Sequence, residues 1–369
     1  MISYLDLAAL NARQGPALEQ RIAQVIREDY VIRGAAVRQF EEAWSSTCGV
    51  NYAVGTNSGL DALTLILRGY IELGKLQPGD PVIVPSHTFI ATWLSVLQAG
   101  LTPVPVDVNS VTYNLEMPQI QAALTNDVKA IVVVHLYGCL VQDLKALRSL
   151  CDAKDILLVA DAAQAHGAKC LDGSYPDSHT HASSYSFYPG KNLGALGDAG
   201  AVVTDDFDLA TMVSDLGNYG SPVKYTHERL GINSRMDTIQ AAVLHEKLQL
   251  LQTDNLRRRE LFNQIVAGTE NPLLTLPQSA GEDNVCHIFP VLVDDTAAFI
   301  RHMESHDIMC LRHYPIACQD QAVFRDTELA EYDLPVARDI AAREVSIPCN
   351  PLLTDDDVSQ IIQALNSFP

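Results

Sequence analysis

Short apolar runs rich in β-branched residues recur through the first two-thirds of the chain, and helical patterns separate them. Residues 81–85 read as a strand, 88–99 as a helix and 102–106 as a strand again. Residues 131–136 and 156–160 have the composition of strands buried on both faces of a parallel sheet, with a helical pattern over 143–152 between them. Residues 201–204 form a further strand. This alternation predicts an α/β protein with a mostly parallel sheet covered by helices on both sides. The pattern changes near Met236. A proline-free helical stretch runs from Asp237 to about Val266, followed by a strand over 287–293 and a helix over 296–306. Thr354 opens a last helix, with Asp357 at the capping-box spacing. The expected division is a large domain over 1–245, with the extreme N-terminus able to pack on the small domain, and a small C-terminal α/β domain over 246–369. A chain of 369 residues has the length for both cores.

A formal net charge of −20 argues against nucleic acid as a partner. An anionic small substrate would need cations gathered locally. None of the eight cysteines forms a Cys-x-x-Cys pair, so neither a metal site nor a disulfide framework is expected. Free thiols suit a reducing compartment. The first residues lack a basic stretch followed by an apolar core, and the longest apolar run, near 130–136, is too short to span a bilayer. A cytoplasmic protein with no membrane partner is the expectation.

The chemistry concentrates in two segments. Asp161-Ala162-Ala163-Gln164 begins at the carboxyl end of the strand over 156–160. Thirty residues after Asp161 comes Lys191, in Ser184-Tyr185-Ser186-Phe187-Tyr188-Pro189-Gly190-Lys191-Asn192-Leu193-Gly194. An isolated aspartate there caps a helix as readily as it serves a ligand, and an isolated lysine is usually a solvated surface group. Together they have the composition of a pyridoxal phosphate site. The lysine amine supplies a Schiff base to the cofactor aldehyde, and the carboxylate keeps the pyridine nitrogen protonated. Ligands of open α/β sheets bind beyond the strand ends, where Asp161 falls. Gln164 can orient the ring hydroxyl or be a plain surface residue of a helix. The segment Gly55-Thr56-Asn57-Ser58-Gly59-Leu60-Asp61-Ala62-Leu63 is a small-polar turn running into an apolar helix. It offers backbone N–H groups to a phosphate, although a plain helix N-cap explains it nearly as well. Ser186 can add a hydroxyl. Phe89, in Pro85-Ser86-His87-Thr88-Phe89-Ile90-Ala91-Thr92, can stack on a ring or simply pack in the core.

In this order the segments resemble the DegT/DnrJ family of sugar-nucleotide aminotransferases, a branch of the aspartate-aminotransferase-like fold. Residues 34–63, Asn218-Tyr219-Gly220-Ser221, Lys224-Tyr225 and Gly231-Ile232-Asn233-Ser234-Arg235-Met236-Asp237 extend the resemblance over nearly the whole chain. It implies the pyridoxal-phosphate-dependent transferase fold type I, with a seven-stranded, mostly parallel sheet. It also implies Lys191 and Asp161 as catalytic residues, and Ser58, Gly59, Leu60, Phe89, Gln164 and Ser186 as cofactor contacts. Asn233 is expected to reach the phosphate of the neighbouring subunit, making a homodimer with shared sites. The implied donor is L-glutamate, which leaves as 2-oxoglutarate. The Asn-Tyr-Gly-Ser and Lys-Tyr spacing is most similar to the branch that turns a dTDP-3-keto-6-deoxyhexose into the 3-amino-3,6-dideoxyhexose. The 4-keto branch, dTDP- or UDP-linked, is the alternative. A non-catalytic regulatory protein of the same fold is a third reading, and a dehydratase is disfavoured because such relatives carry histidine where Lys191 stands. Lys224, Tyr225, His227, Arg235, His313 and Tyr314 are the candidate contacts to the nucleotide sugar, each equally readable as a surface or interface residue. His166 and His181 look like structural histidines. One departure stands out. After His313-Tyr314-Pro315 the chain reads Ile316-Ala317-Cys318-Gln319, where relatives tend to have a second proline and a histidine in a segment expected to border the sugar.

Overall fold

A computed structural model describes residues 1–27 and 30–369. Seven strands make one sheet: β1 (Tyr52–Thr56), β2 (Pro81–Pro85), β3 (Thr102–Val106), β4 (Ala130–Val134), β5 (Leu157–Asp161), β6 (Ala182–Ser186) and β7 (Gly200–Thr204). Their spatial order is β1-β7-β6-β5-β4-β2-β3. The neighbours from β6 through β3 pair in parallel, while β7 runs antiparallel between β6 and β1. Every strand except β7 therefore ends at the same edge of the sheet.

The alternation of side chains explains the two covered faces. Val82, Val84, Val132 and Val159 point into one cluster, with Leu63, Trp93 and Leu209 from the helices Gly59–Glu72, Ala91–Gln98 and Phe207–Leu216. Ile83, Ile131, Val133 and Leu158 point into the other, with Leu144, Leu147 and Cys151 from the helix Leu144–Ala153. Strand β4 is buried along its whole length, so neither of its faces could tolerate water. Each aliphatic side chain fully withdrawn this way contributes about 2 kcal/mol.

A second, two-stranded antiparallel sheet pairs β8 (Phe289–Leu292) with β9 (Glu344–Ile347). Its cluster includes Phe262, Phe289, Phe299 and Ile361, with the Phe262 and Phe289 rings 4.4 Å apart. Ile2 belongs to this cluster, and its N–H donates to Asp307 O at 2.6 Å. The 31-residue helix Thr238–Gly268 spans roughly 46 Å at 1.5 Å per residue. Its early turns bury Ala241, Leu244 and Leu251 with the large sheet, and its late turns bury Leu261, Phe262 and Ile265 with the small one.

The sequence reading meets the structure closely at β2 and β3 and at the last helix. There Thr354 Oγ1 accepts from Asp357 N at 3.1 Å, and Asp357 Oδ2 accepts from Thr354 N at 2.8 Å. It differs at several elements. The helix expected over 88–99 begins at Ala91, because Ser86 N still continues the ladder to Val106 O at 2.9 Å. The strand expected from His287 begins at Phe289, because the N–H groups of His287 and Ile288 both turn to Tyr137 O. Strands β1 and β9 are not among the strands the sequence predicts, and the strand expected over 131–136 ends at Val134. Among the described residues no helix is long and apolar enough to cross a membrane, and no metal-binding cluster is present. The eight cysteines are free.

Candidate active site

Asp161 is the last residue of β5. Its own carbonyl still accepts from His135 N at 3.1 Å, while its side chain extends past the strand ends. The carboxylate is held from two sides. Oδ2 accepts from Thr92 Oγ1 at 2.8 Å and Oδ1 from Ala163 N at 3.2 Å. Thr92 Oγ1 is in turn 2.9 Å from Thr88 Oγ1. Burial pushes the Asp161 carboxyl up, against the pull of those donors and of the Lys191 charge.

Lys191 closes the turn that leaves β6, its N–H donating to Tyr188 O at 2.8 Å. The turn needs the following glycine. A Cβ on Gly194 would lie 2.3 Å from Pro189 O. Burial lowers the Lys191 ammonium to about 8, and the Asp161 charge opposes that fall. A substantial fraction of the amine is thus neutral near physiological pH, as a nucleophilic lysine must be.

A third group of atoms forms an anion cradle. Ser58 caps the helix Gly59–Glu72, its Oγ accepting from Asp61 N at 3.1 Å. The N–H groups of Gly59 and Leu60 have no acceptor among the described residues. Ser186 presses on this turn so closely that a Cβ on Gly59 would sit 2.7 Å from Ser186 Cβ. From behind, a Cβ on Gly200 would strike the Ser58 carbonyl at 2.3 Å. Two free N–H groups, a hydroxyl and a helix N-terminus in one place suit a phosphate.

The sequence matches a known protein family. The model of the DegT/DnrJ/EryC1/StrS aminotransferase family aligns with residues 13–366. The chain belongs to the DegT/DnrJ/EryC1/StrS aminotransferase family.

This aminotransferase is 39% identical over 371 residues to the dTDP-3-amino-3,6-dideoxy-alpha-D-galactopyranose transaminase of Aneurinibacillus thermoaerophilus, with 100% of this chain and 99% of the relative covered. The crystal structure of S. venezuelae DesV superposes with a TM-score of 0.93 at 39% identity, covering 99% of this chain and 97% of that one. NtdA from Bacillus subtilis, solved with bound cofactor PMP, gives a TM-score of 0.89 at 28% identity, covering 98% and 83%.

Around the central atoms, Gln164 is more tightly engaged than its sequence suggested. Its Oε1 accepts from Tyr137 N at 2.5 Å and its Nε2 donates to Tyr314 OH at 3.1 Å. Tyr314 also faces Phe89, with the ring centroids 5.3 Å apart, and the Phe89 side chain is otherwise exposed. His313 is fixed by Glu344 and Ser346 of β9. Glu344 Oε2 accepts from His313 N at 2.6 Å, Ser346 Oγ donates to Glu344 Oε1, and His313 Nδ1 lies 2.8 Å from Ser346 Oγ. Burial raises Glu344 to about 7. Burial and then the Lys191 charge lower His313 to about 4.

The family aminotransferase does not bring its remaining candidate residues together within one chain. Lys224, Tyr225, His227 and Asn233 are exposed, Tyr225 at 84%. They belong to a loop pinned at its base by the Asn218–Asn233 bridge. Arg235 donates to Asn218 Oδ1 at 2.9 Å and lines a separate cavity of about 310 Å³ with Arg33, Arg38 and Glu41. Ala317, Cys318 and Gln319 turn into the core. Cys318 Sγ reaches Thr88 O at 3.3 Å, so this divergent segment touches the site region through the Thr88 loop. His166 is buried, with Nε2 2.8 Å from Ser186 O, and His181 Nδ1 accepts from Leu158 N at 2.9 Å. Sequence reasoning missed Thr92, Glu344, Ser346, Asn192 and His287. Of these, Thr92 lies in the segment quoted for Phe89 and Asn192 in the one quoted for Lys191.

Proposed function

We propose that this aminotransferase works with pyridoxal phosphate and moves the amino group of L-glutamate to the 3-keto carbon of a dTDP-linked 6-deoxyhexose, producing the 3-amino-3,6-dideoxy sugar. The observation that carries the substrate is the full-length kinship with a transaminase named for such a sugar. The chain's own atoms fit the cofactor. A buried, partly deprotonated lysine, a buried carboxylate and a cradle of two free N–H groups and a hydroxyl lie at one edge of the sheet. Bound there, pyridoxal phosphate would supply an aldehyde for an amine and a ring that takes up an electron pair.

Each residue then has a task. Gly59 N, Leu60 N and the Ser186 hydroxyl hold the phosphate. Asp161, whose carboxylate form Thr92, the Ala163 N–H and the Lys191 charge favour against its burial, stands opposite the pyridine nitrogen and would keep that nitrogen's proton in place. Phe89 covers the ring face, and Gln164 presents its amide at the ring hydroxyl. The Lys191 amine, once free, carries the proton between the cofactor carbon and the substrate carbon. Asn233 completes the phosphate site from the second subunit of a homodimer. Lys224, Tyr225, His227, Arg235, His313 and Tyr314 serve the nucleotide sugar. Eight free thiols and an acidic surface suit a cytoplasmic enzyme.

The test is incubation of the cofactor-loaded chain with glutamate and either 3-keto or 4-keto dTDP-6-deoxyhexose, with products identified by mass and NMR. A nitrogen on C3 supports the reading. A nitrogen on C4 overturns the substrate but keeps the chemistry. No amine transfer to either, nor to UDP-linked sugars, favours a regulatory protein.

A further inference from the structure

Thr88 and Thr92 are four residues apart and both buried, at 4% and 0% exposure. Thr92 is the second residue of the helix Ala91–Gln98, and Thr88 lies in the loop that joins this helix to β2. Their hydroxyls are 2.9 Å apart, and Thr92 Oγ1 is 2.8 Å from Asp161 Oδ2. The protons of this chain follow from the end that cannot donate. A carboxylate only accepts, so the single proton of the Thr92 hydroxyl goes to Asp161. Thr92 then has only a lone pair to offer Thr88, and Thr88 must be the donor between them. The other carboxylate oxygen, Oδ1, takes the Ala163 N–H at 3.2 Å.

Both hydroxyls sit on fixed backbone. Thr88 O accepts from Cys318 Sγ at 3.3 Å, which ties the segment after Pro315 to the first hydroxyl of the chain. Trp93 Nε1 donates to Pro85 O at 2.9 Å and holds the start of the helix to the end of β2. Burial raises Asp161, and among the groups that oppose it the Thr92 hydroxyl comes first, then the Ala163 N–H and the Lys191 charge. Tyr314 also feels the Asp161 charge, and burial keeps that phenol neutral.

We propose that Thr88 and Thr92 are positioning residues that act as one directed hydroxyl chain, Thr88 donating to Thr92 and Thr92 to Asp161 Oδ2, which holds Asp161 in place as a carboxylate. Donors that point the same way polarise one another and strengthen the last bond. The chain transfers no proton. Its value to the cofactor rests on the reading of Asp161 as the partner of the pyridine nitrogen; the chain itself does not.

The test reads the pKa of Asp161 in the cofactor-free full chain, by 13C NMR of labelled aspartate carboxyls, with Asp161→Asn identifying the signal. Thr92→Val keeps the side-chain shape and removes the hydroxyl. It should raise the pKa by about one to two pH units, the usual worth of a hydrogen bond to a charged group. Thr92→Ser keeps the hydroxyl and should stay near the wild-type value. Thr88→Val should give a smaller rise, roughly a quarter as large. The double valine variant should match Thr92→Val alone, because Thr88 acts only through Thr92. A general loosening of the fold would lower the melting temperature without producing this order. A wild-type pKa in either valine variant, or single effects that add in the double variant, overturns the proposal. If Thr92→Val fails to fold, Thr88→Val against Thr88→Ser decides: a raised pKa in the first alone supports the chain, and equal values overturn it. Asp161→Asn checks the underlying reading separately. Wild-type affinity and absorbance of pyridoxal phosphate in that variant would remove Asp161 from the cofactor site whatever the order of the pKa values.

Discussion

Lys191 and Asp161 each resist ionisation because they are buried, and each lowers the other's cost of being charged. Removing the amine has no local substitute. Lys191→Ala is expected to abolish turnover and the visible absorbance of a covalently held cofactor, measured by spectrophotometry and borohydride trapping, while the melting temperature holds or rises. Glu344 offers a pH prediction of its own. Burial lifts its carboxyl from 4.5 to about 7 in the folded chain, partly opposed by Ser346 Oγ, the His313 N–H and Arg312. Its neighbours Tyr4, Tyr113, Tyr137, Tyr314 and Cys310 add no positive charge. The folded state therefore binds the extra proton. The stability this group contributes is complete below 4.5 and is lost as the pH rises through 7. Glu344→Gln mimics the protonated form. Between pH 5 and pH 8 the wild type should lose on the order of 3 kcal/mol relative to the variant in denaturant titrations. An unchanged difference would show that Glu344 titrates normally. At this scale the settings of Lys191 and Asp161, a glycine-flanked turn and a strand end, were legible in the sequence. The sequence hid Glu344 and Thr92, because a carboxylate on a short strand and a threonine in a helix acquire meaning only from what folds against them.

The elements place these residues by close approach. The anion cradle exists because the backbone of Ser58 and Gly59 fits between Ser186 and Gly200, where side chains would leave no room. Gly200→Ala puts a Cβ 2.3 Å from the Ser58 carbonyl, so the helix Gly59–Glu72 must shift at its N-terminus. Pyridoxal phosphate affinity, measured by fluorescence titration, should fall at least about tenfold, since an N–H displaced by an ångström loses most of its hydrogen bond. Wild-type affinity would mean that the phosphate is held elsewhere. The parallel strands were legible because burial on both faces leaves an unbroken apolar run. Strand β1 was not, since Tyr-Ala-Val-Gly-Thr is only partly buried along most of its length. Strand β9 was hidden for a different reason: Glu344 and Ser346 are polar residues in a fully buried strand, tolerated because they bond to each other and to His313. The long helix was legible from its lack of proline, but which core each half enters depends on tertiary packing.

In the whole molecule, large apolar side chains remain uncovered in two neighbouring places. Tyr30, Val31 and Ile32 are exposed, as are Tyr219, Val223, Tyr225 and Leu230. The Ile32–Asp237 bridge and the Asn218–Asn233 bridge tie both segments to the start of the long helix. Apolar surface of this extent usually marks a contact with another chain. The same region carries Asn233, Lys224 and His227, all exposed. A homodimer with shared sites accounts for both facts, and mixing makes it testable. Lys191→Ala lacks the amine, and Asn233→Asp would set a carboxylate against the phosphate. Each homodimer should be inactive in the glutamate half-reaction. If Asn233 serves the partner's site, a hybrid dimer contains one site with neither substitution and one with both. Equal mixing after unfolding and refolding should then restore about a quarter of wild-type activity, because half the dimers are hybrids with one intact site each. If Asn233 serves its own subunit's site, every site in the mixture carries one defect and activity stays at the background of the two variants.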